Sequence, residues 1–386
     1  MKKSIVLSAL AWVVVGFITN ASLAQKSDLS MKGELRVLFL EGTPYERGFN
    51  HGKLLKKDIV ALIALWKADI EKTYKMDAET FITRFVEGTD FISAIKEYTP
   101  ELLEEVRGIA DGAGVPFETM VAFQLVDEMW VLGSEFAQNG CTSFGVMKSK
   151  KGPTITAQTL DIPLFYHGYQ TLLRVKDPKK KMETYVLSFP GFIGANGMND
   201  RPVSVCVNAI QQLQPASDGL PVAFIVRGIL EQESFEDAVR FIHSIKHAAG
   251  QNYVIGSVDK MASFECSENR VTEFLPFEGA HFTYHTNHPL TNDHYNSKFL
   301  DYLKSKNQKA EEFRFVCPRF AFLQEKFRDN SKLPDVERLI SVFRDRESGI
   351  NNRSTFSCTI MVLQKKSELH ITAGRPDEAP FEVFRF

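Results

Sequence analysis

The 386-residue sequence has no C-x-x-C pair, no G-x-S-x-G, no H-E-x-x-H, no P-loop and no dinucleotide-binding glycine fingerprint. These gaps remove a zinc ribbon, a dithiol redox pair, a serine-hydrolase elbow, a helix-borne zinc protease and nucleotide-driven chemistry. Charge of one sign is also missing. Lys and Arg total 46 against 48 Asp and Glu, a net charge of −2, so nothing electrostatic calls for a nucleic-acid partner. After the first 24 residues no run stays apolar for the roughly eighteen residues that a membrane helix needs. Repeats, low-complexity tracts and clear linkers are absent as well. What remains, 44% hydrophobic and 24% charged, is a globular composition long enough for one large domain or two small ones.

The first residues read as a secretory signal rather than as part of the fold. Lys2 and Lys3 form a basic start, residues 5–18 an apolar core, and Ser22-Leu23-Ala24 a small-x-small ending. Cleavage is expected after Ala24, and the alternative is a retained N-terminal anchor. No Cys follows the apolar run, which argues against a lipidated N-terminus. The expected location is therefore a bacterial periplasm or the medium, with no membrane span after signal removal. The five cysteines, Cys141, Cys206, Cys266, Cys317 and Cys358, are widely spaced. In an exported protein an odd count leaves at least one thiol unpaired. The other four are open to being buried thiols or two disulfides.

Along the chain the period changes once. Residues 34–40 read as a strand. Thr43, Pro44 and Glu46 then open a helix with an N-cap, a proline at its first position and a capping box. Helical spacing continues over 54–66, 78–85 and 90–98. Further helices start at Pro100 and at Pro116, the latter carrying Asp127 and Glu128. Adjacent residues on a helix do not face each other, so these two make a poor carboxylate pair. From Cys141 on, strands dominate: 142–147 with 154–162 as a hairpin, 171–175 with 183–189, then 202–210. Two helices follow, the second starting at Ser234, and strands return at 252–258, 262–266 and 271–274. Residues 296–344 read as charged helices, and 355–363 with 368–373 as a closing hairpin. Strands paired on either side of central helices predict layers of helix, sheet, sheet and helix. The organisation expected is a signal at 1–24, a mainly helical segment at 25–140 and a sheet-rich catalytic segment at 141–386, the last two forming one domain.

The junction of these segments is Gly140-Cys141-Thr142. A cut between Gly140 and Cys141 would give Cys141 a free α-amino group. A free cysteine titrates at about 8.5 and an α-amino group at about 7.7–8.0, so the amine can take the thiol proton near neutral pH. Such a nucleophile needs a carboxylate to hold the ammonium, an amide to donate to the oxyanion and a nearby cation. Asp161, at the end of the partner strand, is the candidate for the first. Asn287 is the candidate for the second and Arg353 for the third. A second reading uses the histidines at 281, 285, 288 and 294 as a zinc site, although Pro289 and its polar surroundings point to a strand end and loop rather than a helix of ligands. A papain-like pairing of Cys141 with His285 or His288 lacks the local signature of that class.

Taken together, several stretches resemble the acyl-coenzyme A:6-aminopenicillanate acyltransferase family, a branch of the N-terminal nucleophile hydrolases. They are Gly42 to Gly48 with His51-Gly52, Glu105 to Gly112, Gly140-Cys141-Thr142, Gln158-Thr159-Leu160-Asp161, Val207-Asn208-Ala209, His285-Thr286-Asn287-His288 and Gly374-Arg375-Pro376. The resemblance covers nearly all of the chain after the signal, and the order and spacing carry it. It implies an α+β fold, a four-layer αββα sandwich of two stacked antiparallel sheets, and self-cleavage before Cys141. It further implies Cys141 as nucleophile, Asp161 as its carboxylate, Asn287 as oxyanion donor and, by an ungapped count back from Gly374, Arg353 as the catalytic cation. Asn208 is a possible second oxyanion or substrate contact. Thr159 stands where the family commonly has Asn, which puts one hydrogen bond in question. No cofactor or metal is implied, and the partner is a small-molecule amide. Acyl-coenzyme A is scarce outside the cytoplasm, so amide hydrolysis is expected over coenzyme A-dependent transfer. The competing readings are a metal-dependent hydrolase built on the His cluster and an unprocessed periplasmic binding protein of the same fold.

Overall fold

A computed structural model describes residues 27–132, 140–150, 152–313, 317–329 and 333–386. The expected signal at 1–24 lies outside them, as does Asn139 on the far side of the junction. The chain opens with the hairpin β1 (Asp28–Lys32) and β2 (Leu35–Glu41), turned at Gly33 with φ at +58°. Seven helices follow: α1 (Pro44–Leu54), α2 (Lys56–Tyr74), α3 (Ala78–Glu87), α4 (Phe91–Tyr98), α5 (Pro100–Ala113), α6 (Phe117–Phe123) and α7 (Val126–Leu132). The capping box at Thr43 and Glu46 forms as its residues dictate. Two helices are shorter than their apolar spacing implies. Leu55 breaks α1 from α2, so the stripe Ile59, Leu62, Ile63 and Trp66 belongs to α2. Asp127 and Glu128 fall on α7, not on α6.

Next come β3 (Thr142–Val146), β4 (Thr154–Asp161), β5 (Thr171–Asp177), β6 (Met182–Ser188), β7 (Asn196–Asn199) and β8 (Ser204–Ala209). After α8 (Val222–Leu230) and α9 (Phe235–Ser244) the chain returns to β9 (Gln251–Gly256), β10 (Met261–Ser267), β11 (Arg270–Glu273) and β12 (Phe282–His285). The charged stretch forms α10 (Ser297–Ser305), α11 (Ala310–Phe313), α12 (Pro318–Lys326) and α13 (Val336–Phe343). β13 (Thr355–Leu363), β14 (Glu368–Thr372) and β15 (Phe381–Arg385) close the chain.

One sheet runs β1-β2-β5-β6-β7-β8-β9-β10-β11 and the other β12-β3-β4-β13-β14-β15. Every pairing of these strands is antiparallel except β2 with β5, which is parallel, so both sheets are predominantly antiparallel, as expected. The cause of the exception is connectivity: all of α1–α7 and the β3–β4 hairpin intervene, and a long crossover is what a parallel pair requires. Strands β3 and β4 pack on β8 and β9, so the two sheets face each other. Helices α8 and α9 cover the first sheet, and α12 and α13 cover the second. That is an αββα sandwich. Burial on both faces explains why β3 and β13 are buried at every position instead of alternating.

Against α1 lies α5. A Cβ on Gly48 would come within 1.9 Å of the Glu105 carbonyl oxygen, and one on Gly108 within 2.2 Å of the Tyr45 carbonyl oxygen. The glycines let the two backbones touch. Inside this contact the Glu105 carboxylate is fully buried between Arg47 and Arg227, with Arg227 Nη1 at 2.7 Å and Arg47 Nη2 at 3.3 Å.

Candidate active site

Cys141 immediately precedes β3, and Asp161 ends β4. Thr142 pairs with Thr159, and this register brings Cys141 beside Leu160 and Asp161. The Asp161 backbone N–H donates to Cys141 Sγ at 3.5 Å. The Thr142 N–H donates to Thr159 Oγ1 at 3.3 Å, so Thr159 supports the strand next to Cys141.

Asp161 is also tied to the turn before β13. Asn352 Nδ2 donates to Asp161 Oδ2 at 2.6 Å, and the Ile162 N–H donates to the Ser354 carbonyl at 3.1 Å. Asp161 Oδ1 is buried and has no hydrogen-bond partner. Burial raises this carboxyl to about 6, with Thr355, Asn352 and the Arg319 charge pulling the other way. Burial, and after it the Asp161 charge, lifts the Cys141 thiol to about 12. The sulfur is therefore protonated at neutral pH.

Asn287 lies on the loop after β12. The buried carboxylate of Glu265 on β10 shapes that loop: it accepts N–H bonds from Leu290 at 2.6 Å, Thr291 at 2.9 Å and Asn292 at 2.7 Å, and meets His285 Nε2 at 2.8 Å. Asn287 Nδ2 donates to the Ala209 carbonyl at 2.9 Å, leaving its second hydrogen for another acceptor. The carboxamide sits directly on the junction, since a Cβ on Gly140 would meet Asn287 Oδ1 at 2.8 Å and its Cγ and Nδ2 at 3.0 Å. A side chain at position 140 would push that carboxamide aside.

Two expectations are corrected. Arg353 is exposed on the turn whose Asn352 and Ser354 flank Asp161; the guanidinium at the junction belongs to Arg319 on α12. Its Nη1 lies 2.6 Å from the Gly140 carbonyl oxygen, 2.8 Å from that of Cys141 and 3.0 Å from Thr142 Oγ1, while Nη2 donates to Asn287 Oδ1 at 3.0 Å. The ungapped count fails to find it because Arg319 lies within the charged helical segment, where it resembles a surface residue. Asn208 on β8 does not line the cavity; its Oδ1 accepts the Ser143 hydroxyl across the two sheets. Strand alternation turns Val207 and Ala209 to the cavity instead.

The histidines scatter. His288 Nδ1 bonds Thr286 Oγ1 at 2.9 Å, His294 Nδ1 bonds Ser267 Oγ at 3.0 Å and His281 is exposed. Among the described residues no three His, Cys, Asp or Glu side chains converge as metal ligands. All five cysteines are buried and unbonded to one another.

A cavity of about 340 Å3 is lined by Gly140, Cys141, Asp161 and Asn287, together with apolar walls from Trp130, Leu160, Tyr166, Phe189, Phe192 and Val222. Asp127 also reaches it, with burial pushing its carboxyl up to about 7. Glu128 points elsewhere: its Oε1 accepts the Val222 N–H at 2.8 Å, tying α7 to the start of α8. A cysteine thiol, a side-chain amide and an apolar chamber thus meet at one peptide bond.

Residues 148–378, more than half of the chain, match the acyl-coenzyme A:6-aminopenicillanic acid acyl-transferase family. The chain belongs to that family. The match includes Asp161, Asn287 and Arg319 and begins just after Cys141. The acyl-coenzyme A:6-aminopenicillanic-acid-acyltransferase 40 kDa form of Emericella nidulans is 25% identical over 353 residues, covering 89% of this chain and 94% of that protein. Protein dcd1B of Dictyostelium discoideum is 24% identical over 272 residues, 64% of this chain, and this chain spans only 52% of its length. Among solved structures, the Caenorhabditis elegans N-acylethanolamine-hydrolyzing acid amidase ortholog gives a TM-score of 0.41 at 17% identity, over 57% of this chain and 92% of that one. Penicillin V acylase from Agrobacterium tumefaciens gives 0.38 at 16%, over 64% and 86%. These likenesses are weak, and the fold assignment rests on the sheets themselves.

Proposed function

We propose that the chain is an exported, self-processing cysteine amidohydrolase that cuts a linear amide, an N-acyl amino acid, an acyl-amine or a penicillin-like compound, through a Cys141 thioester. The observation that carries this is the buried, unpartnered oxygen of Asp161 beside a cysteine that follows a glycine. An orphaned carboxylate oxygen is costly unless a donor arrives. Cleavage of the Gly140–Cys141 bond creates that donor, the Cys141 ammonium. The same event supplies the base that the buried thiol lacks.

In turnover the freed amine takes the thiol proton and the sulfur adds to the amide carbonyl. The second Asn287 Nδ2 hydrogen stabilises the oxyanion, a contribution typically of roughly 10²–10³ in rate. The ammonium protonates the leaving amine, and water releases the acyl group. The apolar walls suit an acyl chain or an aromatic acid as the part bound in the cavity. The mature pieces, 25–140 and 141–386, stay together through their shared core.

Incubating the purified protein with a panel of N-acyl amides tests this. Release of free amine by the wild type and none by Cys141→Ala is the expected result. Activity that depends on an acyl-coenzyme A donor would reject the hydrolytic reading in favour of acyl transfer.

A further inference from the structure

We propose that Arg319 is the catalytic cation of the chain's own cleavage, acting on the Gly140 carbonyl rather than on substrate. This rests on the self-processing reading above. The geometry is specific. Arg319 is 5% exposed, in the first turn of α12 directly after Pro318, and α12 packs on β12. Its Nη1 donates to the carbonyl oxygen of the very bond to be cut, at 2.6 Å, and also contacts the next carbonyl and Thr142 Oγ1. Nη2 anchors the fork on Asn287 Oδ1, and the Asn287 carboxamide lies against the Gly140 Cα. A planar guanidinium held at both nitrogens has little freedom left to lose.

The chemical consequence follows from charge. When sulfur adds to the Gly140 carbonyl the oxygen becomes an anion, and the same contact becomes a charge-assisted hydrogen bond. The interaction is thus stronger in the transition state than in the ground state, which is the condition for catalysis. In the first step the Sγ–C bond forms and the C–N bond of the Gly140–Cys141 peptide breaks. The thiol proton ends on the departing nitrogen, which becomes the Cys141 amine. Water then opens the thioester, returning the thiol and leaving a Gly140 carboxylate. Arg319 faces that carboxylate as its counter-ion, so the cation that speeds the cut also stabilises its product.

The test is the rate of precursor conversion, followed by intact mass after synthesis of the full-length chain. Wild type should convert fully to 25–140 and 141–386. Arg319→Gln should convert roughly 10²–10³-fold more slowly, as expected for losing an oxyanion donor. Arg319→Lys, which keeps the charge but not the fork, should fall between the two. A thermal melt on uncut Arg319→Gln should show one cooperative transition like that of uncut Cys141→Ala, which separates a chemical defect from a folding one. If Arg319→Gln does not fold, Arg319→Lys carries the test, and wild-type conversion in it overturns the proposal. Conversion of folded Arg319→Gln at the wild-type rate overturns the role of Arg319 while leaving self-processing intact. A wild-type chain that never converts overturns both.

Discussion

Two buried carboxylates in this molecule have opposite surroundings. Glu105, in the α1–α5 contact, is matched by two guanidinium groups; burial alone would raise its carboxyl, but Arg227 and Arg47 outweigh that and hold it at about 2. Asp161, beside Cys141, accepts from Asn352 at one oxygen, keeps the other unpartnered, and is raised by burial to about 6. The first site is electrostatically matched and ties α1 and α5 to α8. The second is short of one positive charge. The difference teaches where chemistry is expected: a fold satisfies its structural charges, and it leaves a deficit where a later event supplies the partner.

Exchanging each acid for its amide should break this comparison most visibly. Glu105→Gln leaves the buried Arg227 guanidinium without its counter-charge and Arg47 with only Asp177 at 3.6 Å, and should destabilise the chain by about 3–5 kcal/mol, read by denaturant unfolding or loss of soluble protein. In the uncut Cys141→Ala chain Asp161→Asn should cost no stability at neutral pH, because no strong pair is lost there, while in the wild-type background amide turnover falls by roughly 10²-fold or more. Equal stability losses in the two variants would erase the distinction.

Next in size is the backbone contact that carries Glu105. Gly48→Ala places a methyl 1.9 Å from the Glu105 carbonyl oxygen, an approach that no rotamer relieves. Overpacking of this kind costs typically about 1–3 kcal/mol and sometimes more. A lowered melting temperature of the uncut Cys141→Ala chain carrying Gly48→Ala would show it.

The pH dependence separates the two sites as well, with opposite signs. Glu105 is lowered from 4.5 to about 2, so its stabilisation is complete above 4.5 and is lost as pH falls toward 2. Asp161 is raised from 3.8 to about 6, so the uncut chain binds an extra proton on folding and loses stability as pH rises from about 4 to about 6. Melting curves of Cys141→Ala with and without Asp161→Asn should therefore diverge across that interval. In the cut wild type the Cys141 ammonium should remove the divergence.

Much of this arrangement is legible from residues alone, for local reasons. The Thr43–Glu46 box and the helix start at Ser234 are set by neighbours in sequence, and each forms as read. Cys141 and Asp161 are brought together by one hairpin, so their proximity follows from strand register. The short strands β1, β7 and β15 are not evident, because their pairing is a property of the neighbouring strand; Gly197 of β7, for example, is needed where a Cβ would meet the Tyr185 carbonyl at 2.1 Å. Arg319 is illegible for a different reason. It reaches the junction from 178 residues away, on a helix whose spacing says only that it has a buried face.

The proposed activity depends on one covalent event, and its product has a chemistry of its own. A protein that begins with cysteine carries a 1,2-aminothiol, which condenses with an aromatic nitrile as no internal cysteine does. Treating the purified, denatured protein with such a nitrile and mapping the label by mass should find one adduct, on the first residue of the fragment 141–386. An active preparation that carries no such adduct, and whose Cys141 is still joined to Gly140, would contradict it.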